Sequence, residues 1–238
     1  RLQPKMTAGL IVMAIVLIIS TTLTMSLLYR NHMEEQYSDI AFNQASIAAQ
    51  FIDGDSISRY YQTGEKDDYY QEVYNQLLIM KENMGLKYFY VVVPEEEKMV
   101  YIWDVGEEEG VCDLLDSDAY YGDGKTNMHN AFLGLEERSI LITRNDVYGY
   151  LASAYVPIKD SNGNPVALAS VDISMDKINS DIQSFVQLSL FVSTGVLAIS
   201  IFIYYFYIYK IVIKPATKLH NSTLQLITNG MDELDKFK

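Results

Sequence analysis

The sequence predicts an α+β domain built on a five-stranded antiparallel sheet and held between two membrane-spanning helices. Two stretches without a charged residue, 6–29 and 182–209, bracket a strongly acidic middle of about 150 residues. At 24 and 28 residues, each is long enough to cross a hydrocarbon core as a helix, which takes about 20 apolar residues. Inside the middle segment a helical period gives way to runs of Tyr, Val, Ile, Phe and Trp cut by polar turns, the change of period that marks helices followed by strands.

Charge orients the chain. Residues 30–181 carry 11 Lys+Arg against 28 Asp+Glu, a net of −17, whereas the two ends together carry a net of +4. Lys and Arg beside a span hold that end in the cytoplasm while acids have little influence, so Lys5 and the Lys210/Lys214/Lys218 series place both ends inside. Arg30 is the one dissenting charge. The expected layout is a cytoplasmic end 1–5, a span 6–29, an outward domain 30–181, a span 182–209 and a cytoplasmic segment 210–238. An outward domain this acidic is a poor partner for nucleic acid. The first span reads as a retained anchor, because its apolar run exceeds a signal-peptide core and Ser26-Leu27-Leu28-Tyr29 lacks a small-x-small cleavage pattern. The chain begins at Arg1 and stops at Lys238 within a helical pattern, which reads as a piece of something longer. With the single cysteine Cys112 in the outward domain, no internal disulfide can form, and a domain of this size buries enough apolar surface to fold without one.

The elements follow in order. Met33, Tyr37, Ile40, Gln44, Ile47 and Phe51 recur at alternating steps of four and three, a heptad seam that suits a partner helix or simply a core. Ala41, Ala45, Ala48 and Ile52 form a second stripe beside it, and Asp53-Gly54-Asp55 ends the pattern. A second helix is expected over 67–83, with acids in its first turn and Tyr70, Val73, Tyr74, Leu77 and Met80 at helical spacing, stopped by Gly85. Strands are expected over 86–93 and 98–105, joined by the polar turn Pro94-Glu95-Glu96-Glu97. Residues 106–137 form an acidic, glycine-broken excursion over one sheet face, with a short helix at 127–133; excursions of that length are often functional. Strands resume at 139–143, 148–158 and 165–173, the last two joined by a turn whose Asn162-Gly163 pair signals a hairpin. The order of elements puts the helices on one face of the sheet.

Four stretches resemble the bacterial single Cache sensor domain, an extracytoplasmic relative of the PAS fold. They are Tyr88-Phe89-Tyr90-Val91-Val92-Val93, Met99-Val100-Tyr101-Ile102-Trp103-Asp104, the run from Tyr155 to Gly163, and Ala169-Ser170-Val171-Asp172-Ile173-Ser174. Beyond the second span, Lys214-Pro215-Ala216-Thr217-Lys218-Leu219 is similar to the opening of a HAMP linker, with Leu219, Thr223 and Leu226 as a first seam. It departs from that pattern afterwards, since Asn229-Gly230 to Leu234 lies late and no second HAMP helix follows. The resemblance implies a transmembrane signalling receptor, a homodimer, that senses an amino acid or small carboxylate outside the cell and acts through a cytoplasmic output. It implies no cofactor.

No catalytic constellation is present. His32, His129 and His220 are far apart and none has metal-ligand spacing; His220 also lacks the acid and proline that follow a kinase phosphoacceptor. Asp160-Ser161-Asn162-Gly163-Asn164 starts like a calcium loop but has Pro165 where glycine is needed and Val171 where a glutamate is needed, so the hairpin reading stands. Acid runs at 95–97, 107–109 and 113–118 suit either a solvated surface or divalent cations held against anionic lipid, which leaves a cation-sensing or ligand-free dimerisation domain as the rival reading. Strand alternation puts Tyr88 and Tyr90, Ser153 and Tyr155, and Ser170 and Asp172 on the face away from the helices. With the Cache resemblance this makes Tyr90, Tyr101, Asp104, Tyr155, Ser170 and Asp172 the candidate ligand site, an aspartate at the strand end being suited to a ligand amine. Tyr101 and Trp103 alternate away from Asp104, so all three line one pocket only if the strand ends or bulges at Asp104.

Overall fold

The computed structural model describes residues 3–106, 110–146, 148–215 and 222–223. The chain divides into two compact units, one of Leu27–Gln183 and one of the described parts of Arg1–Ser26 and Ser184–Lys238.

The second of these units holds most of the apolar length of two helices, α1 (Gln3–Phe51) and α5 (Asp176–Ile208), the latter continuing as a π-helical turn over Tyr209–Ile213. Both are long and apolar enough to cross a membrane, and only 6% and 0% of their most apolar windows are buried. A core helix of a water-soluble protein would bury that surface; here it is available to lipid. The hydroxyls on these helices fold back onto their own backbone, Thr21 donating to the Leu17 carbonyl at 2.8 Å and Ser200 to Val196 at 2.8 Å, which satisfies them without water. Thr22 and Ser189 meet at 3.5 Å. The HAMP-like residues 216–221 and 224–238, and with them His220, lie outside the described residues.

The other unit is the α+β domain. Its sheet has six strands, β1 (Tyr88–Pro94), β2 (Lys98–Asp104), β3 (Ser117–Ala119), β4 (Ser139–Asn145), β5 (Gly149–Lys159) and β6 (Pro165–Ser174), in the order β3-β2-β1-β6-β5-β4 with every pair antiparallel. The expected count of five is corrected by β3, a three-residue edge strand whose residues are all exposed. With no buried face it has no apolar alternation for a pattern to detect.

The end of α1, α2 (Gly54–Thr63) and α3 (Asp68–Met84) cover one face. Ala41, Ala45 and Ala48 are fully buried against the sheet, small side chains that let the helix lie close, while of the neighbouring seam Ile47 remains 48% exposed. Helix α2 was not expected. Asp53 not only ends α1 but caps α2, its carboxylate accepting from the Asp55 N–H at 3.1 Å. Gly54 packs so closely that a Cβ there would lie 2.2 Å from the Lys159 carbonyl oxygen. Asp67 caps α3 by accepting from the Tyr70 N–H at 2.9 Å, and Gly85 closes it at φ 63°. Beneath them Tyr60, Tyr70 and Trp103 form a buried aromatic cluster with centroids 5.1–5.5 Å apart, where the Trp103 indole donates to the Tyr70 carbonyl at 3.0 Å.

The opposite face carries α4 (Gly124–Phe132) and the excursion, so helices cover both faces rather than one. Asp160 accepts from the backbone of Asn162 and Asn164 at 2.9 and 2.8 Å, spending the supposed calcium ligand on the β5–β6 hairpin turn.

Candidate functional site

Strand pairing sets out two polar rows across the sheet face away from α1, α2 and α3. One row runs Asp104, Tyr90, Ser170, Tyr155 across β2, β1, β6 and β5; the next runs Tyr88, Asp172, Ser153 across β1, β6 and β5. The first row depends on a bulge. Val91 opposes Trp103 and Val92 opposes Tyr101, so Ile102 is an extra residue in β2. Ile102 and Trp103 both enter the helix-side core, which turns Tyr101 and Asp104 to the same face. The bulge lies at Ile102 rather than at Asp104, and it brings Tyr101 and Asp104 together while leaving Trp103 in the core.

Above the rows is a cavity of about 160 Å³. Its floor holds Tyr90, Tyr101, Asp104, Ser153, Tyr155 and Asp172, and its walls come from the excursion (Cys112, Asp118, Tyr120, Tyr121), α4 (Gly124, Met128) and the loop residue Tyr148. Of the six candidates, five line the cavity. Ser170 does not; it is fully buried in the row between Tyr90 and Tyr155, and its hydroxyl has no hydrogen-bond partner among the described residues.

Asp172 is the most unusual group. It is 6% exposed, and its Oδ1 has no hydrogen-bond partner among the described residues. Burial pushes its carboxyl up to about 6; hydrogen bonds from Ser153 and Tyr90 pull the other way, Asp104 adds repulsion and Lys87 offsets part of it. Asp104 has a structural role as well, accepting from the Cys112 N–H at 2.9 Å and so holding the excursion against β2. The Tyr101 hydroxyl donates to Asp118 at 3.4 Å and that of Tyr120 to the Glu95 carbonyl at 2.6 Å. Burial first, then the charge of Asp172, raises Tyr90 and Tyr155 well above the ordinary phenol range, and burial raises Tyr101 likewise, so these hydroxyls remain donors at any physiological pH. Burial, then Asp104 and Asp118, pushes the Cys112 thiol up to about 11, and it stays unionised near neutrality.

The acid runs are engaged locally. Tyr61 donates to Glu95, Lys125 pairs with Glu97 at 2.8 Å, and Lys66 pairs with Asp113; residues 107–109 lie outside the described residues. No group of three or more metal-ligating side chains occurs among the described residues. Sequence patterning did not single out Cys112, Asp118, Tyr120, Tyr121 or Tyr148 for the site. The adjacent pair Tyr120-Tyr121 in an otherwise acidic, glycine-broken loop is the signal that could have marked a wall.

No family model matches the chain, and no curated protein matches it. Among solved structures it is similar to the sensor domain of DcuS from E. coli, at 14% identity and a TM-score of 0.41 over 66% of this chain and 98% of that one. It is also similar to the ligand-binding domain of the Campylobacter jejuni chemoreceptor Tlp3 in complex with 4-methylisoleucine, at 12% identity and TM-score 0.40 over 68% of this chain and 60% of that one. A third is the ligand-binding domain of the Pseudomonas aeruginosa amino-acid chemoreceptor PctC in complex with GABA, at 12% identity and TM-score 0.36 over 69% of this chain and 64% of that one. This chain spans less than two thirds of the latter two. At these TM-scores the likenesses stand as similarity alone.

Proposed function

We propose that this chain is a two-pass membrane receptor of the single Cache type whose 30–181 domain binds a small solute outside the cell and passes the event inward through the second span. The observation that carries the reading is the cavity over the polar rows, with the buried, part-unpartnered carboxylate of Asp172 on its floor. Buried polar atoms are almost always partnered in folded proteins, and an exception on a residue that lines a cavity marks where a ligand atom belongs. Tyr90, Tyr101, Asp104, Tyr155 and Asp172 would contact the solute, with Ser170 lying between Tyr90 and Tyr155 in the same row. The Cache resemblance names amino acids or organic acids as the ligand class. Two apolar helices and the +4 to −17 charge contrast support a membrane receptor with both ends in the cytoplasm. Its 210–238 segment would act as the start of a HAMP linker, and the exposed Ile47 edge of the seam supports a parallel homodimer.

The test is thermal unfolding of the full chain in detergent, followed by tryptophan fluorescence. Trp103 is the one tryptophan and lies in the helix-side core, so the signal reports the sensor domain and not the spans. A solute at 100 times its Kd stabilises by about 2.7 kcal/mol, a rise of about 5–11 °C in Tm for a domain of this size. A broad set of amino acids, carboxylates and amines that produces no rise at all refutes the reading.

A further inference from the structure

The chemistry of the cavity wall narrows the ligand. Among the described residues it carries three carboxylates, Asp104, Asp118 and Asp172, together with seven tyrosines, and no Lys, Arg or His. A ligand carboxylate placed there meets like charge and no counter-cation. Three of the tyrosine hydroxyls are already directed to acceptors of the protein, Tyr90 to Asp172, Tyr101 to Asp118 and Tyr120 to Glu95. Lys87, the cation that acts on Asp172, is not part of the wall. Its ammonium donates to the Tyr148 carbonyl at 2.5 Å and lies 5.5 Å from the Tyr88 ring centre.

The aromatic groups suit the opposite charge. Tyr148 meets Tyr88 and Tyr121 edge to face, at 6.2 Å and 88° and at 5.8 Å and 86°, which sets rings at right angles around the wall, and ring faces attract ammonium groups. Lys87 over Tyr88 is a cation already held in this way. A cavity of about 160 Å³ compares with the roughly 150 Å³ that admits benzene, so the ligand is small.

We propose that the cavity selects an organic cation, an amine or amidine lacking a free carboxylate, and seats its N–H donors on the Asp172 carboxylate. This rests on the solute-sensing reading above but replaces its amino-acid or carboxylate ligand with a different class. The site then reads charge first and side-chain identity second. An α-amino acid brings the same ammonium together with a carboxylate that has nowhere favourable to go.

Matched pairs that differ only by that carboxylate test the proposal: agmatine against arginine, 1,4-diaminobutane against ornithine, and phenethylamine against phenylalanine, with succinate and magnesium chloride alongside. Titration calorimetry and Trp103 melting are run on the full chain in detergent at pH 7.5. At least one amine is expected to raise Tm and to bind at least tenfold more tightly than its amino acid, and Asp172→Asn to weaken it about 10- to 150-fold, the loss of one charge-assisted hydrogen bond. An amino acid binding as tightly as its amine, or stabilisation by succinate, overturns the cation assignment and leaves solute sensing standing. Unchanged amine affinity in Asp172→Asn overturns the placement on Asp172. A rise with magnesium alone replaces the organic cation with an inorganic one. Silence from every organic solute removes the inference and the sensing reading together. The pair comparison uses the unaltered protein, so the outcome does not depend on the variant folding.

Discussion

Replacing Asp172 with asparagine should change how the stability of the empty domain depends on pH. Burial raises the Asp172 carboxyl from 3.8 to about 6, so the folded state binds its proton more tightly than the unfolded chain does. The resulting stabilisation is complete below about pH 3.8 and is lost as the pH rises through 6. A shift of that size is worth about 3 kcal/mol in full, of which about 1.4 kcal/mol develops between pH 7.5 and pH 5. For a domain of this size that part corresponds to about 3–6 °C in Tm. The groups acting on Asp172 are Asp104 from β2, Tyr90 from β1, Ser153 from β5 and Lys87 before β1; Asp104 repels the charge and Lys87 favours it. Above pH 5 the carboxyls of Asp67, Glu97 and Asp113, held low by hydrogen bonds and cations, and of Asp160, held low by hydrogen bonds alone, stay ionised and add no slope. Trp103 melts of the two proteins at pH 7.5, 6.5, 5.5 and 5.0 measure the difference. Wild type should gain about 1.4 kcal/mol relative to Asp172→Asn on acidification. Parallel curves would mean that Asp172 is solvated as an ordinary surface acid, and the argument from its burial would fail.

Two further outcomes are expected. Gly54→Ala places a Cβ 2.2 Å from the Lys159 carbonyl oxygen, a backbone atom with no side-chain freedom to give way, and should cost about 1–3 kcal/mol in denaturant unfolding; an unchanged midpoint would show that α2 does not sit tightly on the hairpin. Ile47→Cys in a chain with Cys112→Ser should crosslink in membranes more efficiently than Glu35→Cys, and equal yields would remove the seam as a dimer contact.

Patterns with a buried face were legible in the sequence, because burial imposes a period. The alternation of Phe89 and Val91 against Tyr88 and Tyr90, and of Val171 and Ile173 against Ser170 and Asp172, placed the polar rows correctly. The Ala41/Ala45/Ala48 stripe likewise marked the face of α1 that meets the sheet. Features set by backbone geometry left weaker traces. Strand β3 buries nothing, and α2 begins at the same Asp53-Gly54-Asp55 that reads as a stop, since a helix cap and a turn favour the same residues. The bulge at Ile102 adds one apolar residue to an apolar strand, so only a partner strand reveals it. Walls such as Tyr121 and Tyr148 come from loops whose positions depend on tertiary packing, for which no period exists.

Strand β6 places the carboxylate on the cavity floor and the start of α5 on one uninterrupted length of backbone. Asp172 is four residues from Asp176, the first residue of α5, a path of at most about 13 Å in extended chain. Two anchors hold the junction: Met175 is fully buried, and the Asp176 carboxylate accepts from the Tyr150 N–H at 3.1 Å and from the Ser174 hydroxyl at 3.0 Å. If a ligand drew Asp172 toward the cavity, only Met175 would separate the displaced strand from the first turn of α5, and the Tyr150 and Ser174 bonds of Asp176 would be the first contacts to feel it.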